Sequence, residues 1–111
     1  CDGTLTSAGF SKPAVVIFRE DVAWLHEADV VVAEVSTPSL GVGYELALAE
    51  MLYKPTLCLW HHNAGAQLSA MVDGNPTFIV QQYHDADEAA AHIEAFFSAV
   101  QSTSSATPVL G

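Results

Sequence analysis

The chain has 111 residues, half of them hydrophobic and 14% charged, which suits one small folded domain and excludes a disordered chain. Its net charge is −10, with Lys12, Arg19 and Lys54 as the fixed cations. That balance argues against duplex DNA or RNA as a partner, because phosphate-backbone affinity comes mainly from cations.

The same shortage limits how a small phosphate could be held, leaving backbone N–H groups and hydroxyls at a helix N-terminus to do the work. Cys1 and Cys58 do not form the pattern of a disulfide framework, which points to a reducing interior. No apolar run approaches the roughly 18 residues of a membrane helix, and no signal-peptide pattern opens the sequence. The chain begins at Cys1 rather than Met, so a missing N-terminal part is the expectation.

In chain order, residues 1–12 are rich in Gly, Ser and Thr and read as a loop. Residues 14–18 look strand-like, whereas 19–27 carry helical spacing through Val22 and Leu25, and the boundary between them stays open. The nearly continuous apolar run 30–35 fits a parallel strand covered on both faces. Residues 36–43 follow as a turn, and 44–53 as a helix that Lys54-Pro55 stops. Residues 56–60 form a second buried strand and 78–81 a third, with a short helix over 68–72 between them. Residues 85–100 form a helix with an acidic start and an apolar face through Ala89, Ile93, Phe96, Phe97 and Val100. The expected organisation is one flavodoxin-like or Rossmann-like α/β domain over 1–101 and a flexible tail over 102–111.

Ligands of open α/β sheets bind at the carboxyl ends of the strands. The 36–43 turn sits at such an end, where Gly41 and Gly43 permit close backbone approach and Ser39 adds a hydroxyl, so together they could cradle an anion. Many strand-to-helix turns hold Gly and Ser with no ligand, and that bland reading is the commoner one. Glu45 falls in the first turn of the following helix, beside the anion pocket. There it is either a helpful partner for the dipole or a carboxylate aimed at a sugar carbon next to bound phosphate. Cleavage of an N-glycosidic bond passes through an oxocarbenium-like state that a carboxylate can trap covalently. A second acid is wanted to handle the leaving-group proton, and Asp21 is the best candidate.

Several other residues read as structural. Glu34 interrupts an apolar strand, where an unpaired carboxylate is costly, so a paired supporting acid is expected there rather than a catalyst. Adjacent His61 and His62 should point apart, with no further ligand at metal spacing, so neither metal nor cofactor is expected. Asp29 reads as a loop residue, and His26, His84 and His92 as surface residues. Trp24 and Trp60 read as core or interface aromatics, and Cys58 as a small apolar filler.

Three stretches carry a resemblance: Glu20-Asp21-Val22-Ala23-Trp24-Leu25, Ala28-Asp29 through Val35, and Pro38-Ser39-Leu40-Gly41-Val42-Gly43-Tyr44-Glu45-Leu46. They resemble the central block of the 2′-deoxynucleoside 5′-phosphate N-hydrolases, within the wider nucleoside 2-deoxyribosyltransferase group. Leu68-Ser69-Ala70-Met71 is similar to a later motif of that family. The likeness covers residues 18–72.

By that resemblance Glu45 is the nucleophile and Asp21 the acid that orients the sugar or moves a proton. Ser39 binds the 5′-phosphate, and Gly41 and Gly43 shape the loop beside it. Ser69 is contributed to the phosphate site by a neighbouring subunit, so the resemblance implies a homodimer. The family's N-terminal strand and Gly-Ser-Ile-Arg-Gly loop have no counterpart here, a departure that agrees with a missing N-terminal part or with a degenerate relative.

The activity that the resemblance implies is hydrolysis of a 2′-deoxynucleoside 5′-monophosphate to a free base and 2-deoxyribose 5-phosphate, in the cytoplasm with the nucleus as a second compartment. No nucleic-acid polymer or membrane is expected as a partner. One alternative is deoxyribosyl transfer between bases on unphosphorylated nucleosides, against which the two serines argue. The other is a nucleotide-binding or dimerisation module without turnover.

Overall fold

A computed structural model describes residues 12–106, and side chains as far as residue 101. The first eleven residues, expected as a loop, and residues 107–111, the end of the expected tail, lie outside the described part. Helix α1 (Ala14–Glu27) is followed by strand β1 (Val31–Glu34), helix α2 (Leu40–Met51) and strand β2 (Thr56–His61). A short helix α3 (Ala70–Asp73), strand β3 (Phe78–Tyr83) and helix α4 (Ala86–Ala106) complete the order.

The three strands form one parallel sheet in the order β1-β2-β3, with Val31 opposite Thr56 and Thr56 opposite Phe78. Helices flank this open sheet, so the expected flavodoxin-like α/β class is the observed one. β2 is the central strand, and Thr56, Leu57, Cys58 and Leu59 are all buried. β1 alternates half-buried and exposed positions. Its apolar run therefore does not mean burial on both faces within the described chain, because face coverage comes from packed helices, and α4 packs mainly on β2 and β3 rather than on β1.

Strand alternation puts Leu57 and Leu59 on one face, where they pack with Phe96 of α4; Val30, Tyr83, Ala89, Ile93 and Val100 close around them. Cys58 points to the opposite face and is fully buried. Desolvation pushes its thiol pKa from 9.0 to about 11. Folding therefore keeps the neutral thiol, a contribution fully present below pH 9.0 and lost as pH rises through about 11. Below pH 9.0, iodoacetamide is expected to leave Cys58 unmodified in the folded protein and to alkylate it in urea. Mass spectrometry of the Cys58 peptide gives the readout, and rapid native labelling would contradict this burial.

Three element expectations are corrected. Residues 14–18 are not a strand but the first turns of α1, since Val16, Ile17, Val22 and Leu25 make one inward face at helical spacing. α2 starts at Leu40, four residues before the expected residue 44, so much of the supposed turn is helix. α4 continues to Ala106, into the segment expected as a tail.

The end of α2 has its own device. Lys54 N–H bonds to the Ala49 carbonyl and Tyr53 N–H to the Glu50 carbonyl, a Schellman arrangement that puts Tyr53 at φ 58°. Tyr53 is 89% exposed, so its ring contributes little packing. Tyr53→Gly is expected to raise stability by about 0.5–1 kcal/mol, read as a higher urea midpoint.

Candidate active site

The turn leaving β1 is anchored by a carboxylate. Glu34 Oε1 accepts the Ser36 N–H at 2.8 Å, and Oε2 accepts the Ser36 hydroxyl at 2.7 Å. Tyr83 donates its hydroxyl to the same Oε2, and Ser36 Oγ accepts the His61 N–H at 2.8 Å. One side chain thus ties together the carboxyl ends of all three strands. Burial works to raise the Glu34 pKa, but the hydrogen bonds from Tyr83 and Ser36 outweigh it and hold the carboxyl below its usual value. Donation to Glu34 in turn holds the Tyr83 phenol above its ordinary value. Glu34 is thus paired, as an acid in an apolar strand needs to be.

Ser39 caps α2. Its backbone is extended (φ −152°, ψ 125°), its Oγ accepts the Val42 N–H at 3.2 Å and its carbonyl accepts the Gly43 N–H at 3.1 Å. Ser69 caps α3 in the same way, with Oγ accepting the Met71 N–H at 3.1 Å. An oxygen used as an acceptor keeps its own O–H to donate. Both serines line a single cavity of about 570 Å³ between α2, α3 and the sheet. Leu46, Leu68, Val72 and Phe78 supply much of its apolar wall, and Thr37, Gln67, Glu50 and Asn75 its further polar groups. Asn75 Nδ2 donates to Glu50 Oε1 at 2.9 Å. No Lys or Arg is among these lining residues, so anion affinity there depends on hydroxyls and the N–H groups of the first α2 turn.

Glu45 and Asp21 occupy a different flank. Glu45 is the sixth residue of α2 rather than part of its first turn, so the expected dipole contact is corrected. At about 100° per residue it lies well round the helix from Ser39, Gly43 and Glu50, and it is not among the cavity-lining residues. α1 packs beside this other flank, with Phe18 meeting Tyr44 edge-on at 6.2 Å between ring centroids. Asp21 is one α1 turn beyond Phe18, Glu45 is next to Tyr44, and both are half-buried. The structure therefore brings Ser39 and Ser69 together around one cavity, and puts both candidate carboxylates on the paired helices α1 and α2.

Gly41 and Gly43 are helical, which corrects their expected place in a loop. A Cβ at Gly41 would come within 3.8 Å of Ser39 Oγ, and one at Gly43 would meet nothing within 4 Å. Gly43 leaves cavity space open, while Gly41 does not line it. The histidines also differ from expectation. The His61 and His62 rings do not diverge but sit 4.7 Å apart, and His62 stacks on His84 at 4.3 Å. His84 Nδ1 reaches Glu88 at 2.8 Å. His62 N–H still pairs with the Tyr83 carbonyl, but a turn begins here, closed by Ala64 N–H on the His61 carbonyl, so the two residues are not in plain strand alternation. Among the described residues no group of three or more His, Cys, Asp or Glu is arranged to hold a metal ion.

Sequence reasoning missed Tyr83 and the polar cavity residues Thr37, Gln67, Glu50 and Asn75. An acid ending an otherwise apolar strand was a signal that a partner must exist, but nothing in the sequence said which residue it was.

A parallel sheet with a serine-capped helix following β1 defines an open α/β protein, a class in which ligands bind at the carboxyl ends of the strands. Comparison with known proteins narrows this class. A 5-hydroxymethyl-dUMP N-hydrolase of Branchiostoma floridae is 51% identical over 74 residues, covering 64% of this chain and 70% of the relative. A second protein of that name from Tetraodon nigroviridis is 48% identical over 85 residues, covering 74% of this chain and 59% of the relative. A Trichoplax adhaerens protein, provisionally named 2′-deoxynucleoside 5′-phosphate N-hydrolase 1, is 47% identical over 85 residues, covering 74% and 58%. No family model matches the chain. The chain belongs to the 2′-deoxynucleoside 5′-phosphate N-hydrolase family. It spans a little over half the length of several of the curated relatives it matches.

Proposed function

We propose that the protein hydrolyses the N-glycosidic bond of 2′-deoxynucleoside 5′-monophosphates, releasing a free base and 2-deoxyribose 5-phosphate. The observation that carries this reading is the Ser39-capped N-terminus of α2, lining an open cavity without Lys or Arg, on the same helix as Glu45. The relatives' names specify a deoxynucleoside phosphate substrate, and two serine hydroxyls suit a phosphate better than an uncharged 5′-hydroxyl.

In this mechanism a Glu45 carboxylate oxygen attacks C1′ as the C1′–N bond breaks. The base leaves with that electron pair and takes a proton from Asp21. Water then attacks C1′, gives a proton back to Asp21 and releases Glu45 as the carboxylate. Gly43 leaves room beside the bound phosphate. Ser39 and Ser69 of one chain donate to the phosphate in the cavity they share, and a homodimer is the assembly of this reading. Cytoplasm, with nucleus as a second compartment, is the setting of this reading. No described helix is long and apolar enough to cross a membrane.

One observation favours a second reading, a nucleotide-binding module without turnover: neither Glu45 nor Asp21 lines the serine cavity. Incubation with a panel of deoxynucleoside 5′-monophosphates and the matching nucleosides, read by chromatography, separates the readings. Base release confined to the phosphates supports the hydrolase. Release only when an acceptor base is added would indicate a transferase. Binding of the phosphates with no release would leave the module.

A further inference from the structure

We propose that Glu34 and Tyr83 are positioning residues for the phosphate-binding turn: their hydrogen-bonded pair fixes Ser36, and through it the Ser39 cap of α2. This rests on the reading of Ser39 as a phosphate ligand.

The geometry is specific to the turn. Both Glu34 oxygens are used on Ser36, one for its N–H at 2.8 Å and one for its hydroxyl at 2.7 Å. Tyr83 reaches across from β3 to share Oε2, and His61 N–H closes the set on Ser36 Oγ at 2.8 Å. From Ser36 the chain reaches Ser39 through Thr37 and Pro38 alone. Pro38 fixes its own φ, donates no N–H and confines Thr37 to extended backbone, so the segment is stiff and passes the position of Ser36 on to Ser39.

Core packing does not account for this arrangement. Glu34 is exposed, and it shares a sheet face with Val32, Leu57, Leu59 and Ile79, where an apolar residue would continue the pattern. A carboxylate near a phosphate site is also electrostatically adverse. Three donated hydrogen bonds disperse its charge and leave it acting as the acceptor that the turn requires.

The test uses the full chain with Tyr83→Phe, Glu34→Gln, Ser39→Ala and, as a destabilised control far from the turn, Val100→Ala. Steady-state base release from a deoxynucleoside 5′-monophosphate gives KM and kcat. Titration with inorganic phosphate, followed by the Gly41 and Gly43 amide resonances, gives affinity without turnover. Tyr83→Phe keeps the ring and is expected to raise KM and the phosphate Kd about 3–10-fold, with kcat within about 2-fold. Glu34→Gln is expected to act in the same direction, and Val100→Ala to leave KM unchanged. If Ser39→Ala weakens phosphate binding but Tyr83→Phe and Glu34→Gln do not, the positioning role is overturned. If Ser39→Ala itself leaves phosphate binding unchanged, or the parent binds none, the phosphate site falls, and the positioning role with it.

Discussion

Glu45→Gln is expected to lower base release from deoxynucleoside 5′-monophosphates by at least about 10³-fold, the scale on which removal of a covalent nucleophile acts. The amide keeps the size of the side chain but cannot supply an anionic oxygen to C1′. Because Glu45 lies away from the serine cavity, phosphate affinity should remain within about 2-fold of the parent, in contrast to Ser39→Ala. The loss should thus fall on kcat and spare the phosphate Kd. Full turnover by Glu45→Gln would remove the nucleophile assignment. An equal loss of phosphate binding would mean that Glu45 holds the ligand rather than attacks it.

Leu57→Ala is expected to cost about 2–5 kcal/mol, read as a lower urea midpoint followed by circular dichroism. Leu57 is fully buried in the central strand and packs against Leu59 and Phe96. Only seven hydrophobic residues are buried among those described. Domains have net stabilities of about 5–15 kcal/mol, so one truncation here takes a large share. A cost under about 1 kcal/mol would show that the β2–α4 contact does not hold the fold together. The cavity is on the α2–α3 side, so any fraction that stays folded should keep its phosphate affinity.

Much of the scaffold was legible in the sequence because its signals are local. The β-branched and apolar run before the Ser36 turn marks β1, the run after Lys54-Pro55 marks β2, and the acidic start and spaced apolar residues mark α4. Where local signals compete, reading failed. Residues 14–18 carry strand propensity yet belong to α1, since packing of the helix face through Leu25 overrides preference. The start of α2 was misplaced because Gly41 and Gly43 read as loop formers, whereas the Ser39 cap satisfies the first-turn N–H groups and lets the helix begin at Leu40.

For the candidate site, the sequence by itself offered Ser39 as a hydroxyl for an anion, Glu45 and Asp21 as candidate acids, and Glu34 as an acid in need of a partner. It also determined that cations are too few to hold a phosphate by charge. Only the tertiary structure decided that Ser39 and Ser69 share one cavity, that Glu45 turns to the α1 flank of the same helix, and that Tyr83 is the partner of Glu34. The reason is physical: helix phase and strand order set these contacts, and both depend on where α2 begins and how the strands pair. Glu34 and Tyr83, 49 residues apart in the chain, meet because β1 and β3 flank the same central strand and end at the same edge.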